Sequence, residues 1–148
     1  MLKSLKRMLS APQAEMTANG RHHLLLAVAV LLHEARRADY VEGGREASVA
    51  EEALADLFDL DRPAARALLA QGWERAGQLT SFYAPVTVIK RDYSMDERIR
   101  LVEHLWRVAF ADGDLSYYED HYVRKIAHLL HVPNTQSMLA RNRARGVS

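Results

Sequence analysis

"ERIRLVEHLWRVAFADGDLSYYEDHYVRKIAHLLHV", residues 97–132, decides the fold. Its apolar residues recur at intervals of three and four, never two: Ile99, Val102, Leu105, Trp106 and Ala109, then Tyr122, Ile126, Leu129 and Leu130. That period belongs to helices with one buried face. The spacing predicts a helix from about Met95 to Ala111 and another from about Tyr117 to His131. Between them "ADGDLS" interrupts the pattern. Ser94 with Glu97, and Ser116 with Glu119, stand where the periodicity restarts. In each pair the hydroxyl can accept from the amide three residues on, while the glutamate reaches back to the cap amide.

The same reading extends outward in both directions. Downstream, "VPNTQSMLARNRA" predicts a final helix capped near Asn134. Upstream, Leu25, Val28, Leu32 and Ala35 form a stripe over about residues 22–38, and Leu54, Leu57 and Phe58 form another. At "DLDRP" Asp61 can cap a further helix, with Pro63 in its first turn, where a missing N–H is harmless. That helix carries Ala67, Leu68 and Trp73. A third S-x-x-E pair, Ser48 with Glu51, falls late enough to lie inside its helix. "TSFYAPVTVIKRDY", residues 80–93, is rich in β-branched residues. A lone strand would have no partner in this chain, so a short helix starting near Pro85 is the better reading. The expected fold class is all-α.

The two halves resemble each other. "ARRADYVEGGREASVAEEALADLFDLD" lies over "VAFADGDLSYYEDHYVRKIAHLLHVP", with one extra residue in the first. Each copy holds Ala-Asp, six residues, then Glu: Ala38-Asp39 to Glu46, and Ala111-Asp112 to Glu119. The similarity predicts an internal duplication of a helix–turn–helix unit packed about a pseudo-twofold axis. The organisation expected is one domain over residues 1–148, with an N-terminal arm at 1–19, a first repeat at 22–75 and a second at 94–145.

Composition excludes several classes of function. There is no cysteine among the 148 residues, which removes disulfides, thiolate zinc sites, iron–sulfur clusters and cysteine nucleophiles. This agrees with a cytoplasmic location. A formal net charge of +1 gives no bulk attraction to nucleic acid. The basic "ARNRARG" near the end lacks any base-reading companion, so a solvated helix end is expected and no nucleic-acid partner. The longest apolar run, "LLLAVAVLL", is too short to span a bilayer. In "MLKSLKRML" Leu2, Leu5 and Leu9 share one face. This stretch is a first helix packed on the domain or frayed, or else a weak membrane-surface anchor.

Familiar site patterns fail on inspection. With Asp112 at position 1 of an EF-hand loop, Tyr117 stands where glycine is needed and Val123 where a bidentate glutamate is needed. In "HEARR" Arg37 occupies the second histidine's place in a zinc-protease helix, and a guanidinium does not ligate zinc. The seven histidines show no ligand spacing with a carboxylate, so structural or surface roles are expected for them. "EGGRE" reads as a turn.

What remains is the repeated Asp-x6-Glu. A glutamate in a helix's first turn is favoured by the dipole by about 0.3–1 kcal/mol. An aspartate at a helix C-terminus meets the negative end of the dipole, so making that choice twice calls for a partner. The backbone amides of the following turn would serve. So would a divalent cation, for which all-oxygen ligands favour Ca²⁺, Mg²⁺ or Mn²⁺ over Zn²⁺.

The duplicated "ARRAD…E" and "AFADGDLSYYE" motifs resemble the TerB-like family, the tellurite-resistance B domains of bacteria. The resemblance spans about residues 22–145 and is specific in the second half. It implies a bundle of about seven helices built as two pseudo-symmetric units, and a link to tellurite and stress resistance. It also implies a metal-binding role for the acidic turns, and it brings no enzymatic activity. Carried over position by position, Asp39, Glu46, Asp112 and Glu119 match the motif, with Asp114 an accessory candidate. Glu42 is weaker, because Tyr40 stands where the family has glycine. The expected function is a non-enzymatic cytoplasmic module that binds a divalent cation and a protein partner, free or membrane-associated. One alternative is a purely protein-binding adaptor whose carboxylates only hold the turns. Another is a metal-dependent hydrolase, for which no matched base or nucleophile is present.

Overall fold

The structure, a computed structural model, describes residues 18–35, 45–111, 113 and 115–147. Among these are seven helices and no strand: α1 Ala18–Glu34, α2 Arg45–Phe58, α3 Arg62–Ala76, α4 Tyr83–Asp92, α5 Met95–Ala109, α6 Tyr117–Leu129 and α7 Asn134–Val147. The all-α expectation holds. The β-branched segment forms α4, with Pro85 in its first turn and Val86 and Ile89 buried one helical turn apart.

Helix α1 is buried nearly all round, from Ala27 through Leu32, which marks a central helix rather than a one-sided surface one. It packs chiefly on α3 and α4, and touches α2 and α5. Helix α5 is the second axis of the bundle, resting on α7, α2 and α6. The core between them is filled by Leu31, Leu32, Leu54, Phe58, Leu101, Leu105, Trp106, Ile126 and Leu130. Tyr122 enters it from α6, and its hydroxyl donates to the Leu31 carbonyl at 2.9 Å.

The caps predicted at Ser94, Ser116 and Asp61 form. Ser94 and Ser116 each close a reciprocal capping box with Glu97 and Glu119, and the Asp61 side chain accepts from the Ala64 amide at 2.8 Å. Ser48 lies inside α2, where its hydroxyl accepts from Arg62 at 3.2 Å.

Of the apolar residues noted on α3, Leu68 is buried and the other two are not. The buried residues of this helix are Ala65, Leu68, Leu69 and Gly72, while Ala67 and Trp73 are exposed. Gly72 sets this register. A Cβ placed there would come within 2.9 Å of the Ala29 backbone, so glycine lets α1 and α3 approach closely. Leu25, Ile99 and Leu129 are half-buried rather than buried.

Two helix ends are closed alike. Asp59 and His131 take left-handed backbone at φ 58° and 60°. The next amide bonds back across the turn, Leu60 to the Ala55 carbonyl at 3.1 Å and Val132 to the Ala127 carbonyl at 2.9 Å. This is the hydrogen bond of a Schellman ending. An arginine from the fourth position of α1 or α5 then reaches the helix end: Arg21 to the Phe58 carbonyl at 3.4 Å, and Arg98 to the Leu130 carbonyl at 2.7 Å.

Candidate functional site

The predicted acidic residues are only partly within view. Asp39, Glu42, Asp112 and Asp114 lie outside the described residues, as does the N-terminal stretch through residue 17. Glu46 is half-buried in the first turn of α2, and Glu119 is fully buried in the first turn of α6. The helices they begin both pack against α5, so Glu46 and Glu119 share that support. Among the described residues no group of three or more histidines and carboxylates is placed to hold an ion.

The turn leading into α6 follows from its residues. Helix α5 ends at Ala109, and the Gly113 amide bonds back to the Phe110 carbonyl at 2.9 Å. Gly113 sits at φ 94°, which a side chain would oppose. Ser116 then starts α6. Its amide donates to Glu119 Oε1 at 3.0 Å, and its hydroxyl accepts from the Glu119 amide at 3.1 Å. Glu119 is therefore immobilised by the cap, with its carboxylate removed from water.

Sequence reading passed over Glu34, the last residue of α1. Its carboxyl group is half-buried. Burial raises its pKa above the ordinary value. The Tyr118 and Tyr122 phenols are also raised, first by their own burial and then by the Glu34 charge. A signal was available: a glutamate at a helix C-terminus opposes the dipole.

A second polar centre joins α2 to α5. Asp56 Oδ2 lies 2.7 Å from Arg100 and 2.9 Å from His104 Nε2. Burial works against the Asp56 carboxylate, but Arg100 and His104 outweigh it and hold its pKa below the ordinary value. His104 is almost wholly buried, and desolvation lowers its pKa despite Asp56. A cleft of about 500 Å³ opens beside the pair, lined by Glu52, Asp56, Asp59, Arg62, His104 and Arg107 among others. Three carboxylates, two arginines and His104 line it. Asp56 and His104 tie two helices together across 48 positions of sequence.

Comparison with protein families gives a match to the model described as tellurite resistance protein TerB, over residues 25–142. No curated protein and no solved structure matches the chain. The matched segment takes in all of α2 to α6, most of α1 and the larger part of α7. The chain belongs to the TerB family.

Proposed function

We propose that this protein is a non-enzymatic binding module, which uses its acidic turns to take a divalent cation and presents a helical surface to a protein partner. The observation carrying the metal reading is the repeated Asp-x6-Glu, with Glu119 held fully buried and fixed by Ser116. A carboxylate removed from water is costly unless compensated, and a cation beside it would supply part of that compensation. The donor set fits such an ion: Asp39, Glu46, Asp112, Asp114 and Glu119, with Glu42 weaker, offer oxygen ligands only, which suit Ca²⁺, Mg²⁺ or Mn²⁺. The ion would brace the turn between α5 and α6 and so stiffen the surface around it.

The capping box favours a second reading. Because Ser116 already engages Glu119, the carboxylate can serve the turn alone, in a purely protein-binding adaptor. The family name supports a role in tellurite resistance, and a wider link to stress resistance belongs to the proposal. A cytoplasmic location belongs to the proposal and is motivated by the absence of cysteine. Among the described residues no helix is long and apolar enough to cross a membrane.

Calorimetric titration with Ca²⁺, Mg²⁺, Mn²⁺ and Zn²⁺ tests the proposal. Binding tighter than millimolar, lost in the paired substitutions Asp39→Asn and Asp112→Asn, is the expected result. Absence of binding, or binding that survives both substitutions, leaves the adaptor reading.

A further inference from the structure

Helices α2 and α5 meet through charged residues set one turn apart. Glu52 and Asp56 stand on α2, and Asp59 follows just past its end. Arg100, His104 and Arg107 are spaced in the same way on α5. One rung between the helices is closed: Asp56 holds Arg100 at 2.7 Å and His104 at 2.9 Å. One turn further along α5, Arg107 pairs instead with Glu103 of its own helix at 2.9 Å. Glu52 lies 3.8 Å from Arg62, too far for a hydrogen bond. The cleft of about 500 Å³ opens beside these residues.

What the cleft presents to a ligand follows from these commitments. Arg107 keeps 34% of its side-chain exposure, and a single bond to Glu103 leaves further N–H donors on its guanidinium. Glu52 and Asp59 are exposed carboxylates. His104 is buried but lines the cleft. Burial holds its pKa below the ordinary value, and its Nε2 lies on Asp56. The neutral ring therefore carries its proton on Nε2, which makes Nδ1 an acceptor.

A ligand of one sign fits this lining poorly. An anion would meet three carboxylates, and a cation would meet two arginines, each a like-charge contact in a partly desolvated place. A zwitterion satisfies both signs at once. The rest of the wall is aliphatic, from Val49, Ala53 and Ala55. The volume lies within the range of about 300–1,000 Å³ typical of small-molecule sites.

We propose that the cleft between α2 and α5 binds an aliphatic α-amino acid as its zwitterion, with the ammonium toward Glu52 and Asp59 and the carboxylate on Arg107. This goes beyond the function proposed above. It shares no residue with the acidic turns, so neither reading depends on the other.

The test is an NMR titration of the intact chain with valine, leucine and isoleucine. Isopentylamine, which lacks the carboxylate of leucine, and N-acetylleucine, which lacks its ammonium, are the controls. At least one amino acid should bind tighter than about 1 mM, with saturable shifts of the amides from Val49 to Asp56 and from His104 to Arg107. Glu52→Gln and, separately, Arg107→Gln should each weaken binding about tenfold or more, as losing a charge-assisted hydrogen bond does. Glu52 is exposed, so its variant keeps the fold, and a melting curve of each variant confirms folding. Val49→Phe narrows the cleft without changing its charge and should abolish binding. No saturable shift with any of the three amino acids overturns the proposal, as does an affinity unchanged by Glu52→Gln or by Val49→Phe. Equal affinity for either control assigns the cleft to a plain cation or a plain anion and overturns it too. Shifts that map to other helices have the same consequence.

Discussion

Arg98 Nη1 donates to the Leu130 carbonyl at 2.7 Å, so the start of α5 closes the end of α6. Arg21 does the same for α2 through the Phe58 carbonyl, at the longer distance of 3.4 Å. Replacing Arg98 with Met should lower stability by about 1–3 kcal/mol, the range for a charge-assisted bond to a helix carbonyl. Arg21→Met should cost less, because its bond is longer. Urea unfolding of both variants checks the order, and equal losses would contradict it.

Gly72→Ala should destabilise the protein even though alanine is the better helix former. The gain in propensity is about 1 kcal/mol, but the new Cβ would stand 2.9 Å from Ala29 and push α1 from α3. Overpacking of this kind costs about 1–3 kcal/mol. Thermal unfolding should show a lower midpoint, and a higher one would mean that the helices separate freely.

Ser116→Ala should lower stability by about 0.5–2 kcal/mol through loss of the cap. Glu119→Gln keeps an acceptor for the Ser116 amide at 3.0 Å and should change the metal-free melting temperature less than Ser116→Ala does. If Glu119 ligates an ion, any rise in melting temperature produced by Ca²⁺, Mg²⁺ or Mn²⁺ should shrink or vanish in Glu119→Gln. A rise of unchanged size would place the ion elsewhere.

His104 gives the protein a pH dependence with a definite sign. Its folded pKa is lowered, by burial first, so between its unfolded value of about 6.5 and its folded value the unfolded chain binds the extra proton. Stability is therefore full above that window and falls as pH drops through it. Asp56, also lowered, loses its contribution only at more acid pH, below the ordinary aspartate value. His104→Gln should flatten the slope just below neutrality, as measured by unfolding across that range.

Glu34 acts in the opposite direction. Its raised folded pKa means that the folded state holds the proton more tightly, so stability declines as pH rises from the ordinary glutamate value through the folded one. Glu34→Gln should remove that decline and leave the protein at least as stable at neutral pH. A less stable variant would show that the Glu34 charge has a partner within the fold.

The features legible in the sequence share one physical trait: they are settled within a few residues. Ser94 with Glu97, Ser116 with Glu119, and Asp61 with Ala64 each satisfy amides three positions away, so spacing alone identifies them. The helix at Pro85 was legible for a related reason, since an isolated strand has no ladder to join. Long-range relationships were not. Asp56 meets His104 across 48 positions, and nothing near either residue announces the other. For the candidate site, the place of Glu119 in its helix was legible, while its complete burial was not.

The sequence by itself determined where helices start and stop, because caps, prolines and a three-to-four apolar period act on the chain's own backbone. Tertiary packing decided which faces those helices bury. Helix α3 carries apolar residues on several sides, and the close approach of Gly72 to Ala29 goes with Ala65, Leu68 and Leu69 inside and Ala67 and Trp73 outside. That same orientation leaves Trp73 at the surface beside His33. The orientation depends on the steric fit between two helices 43 positions apart, which no local pattern encodes.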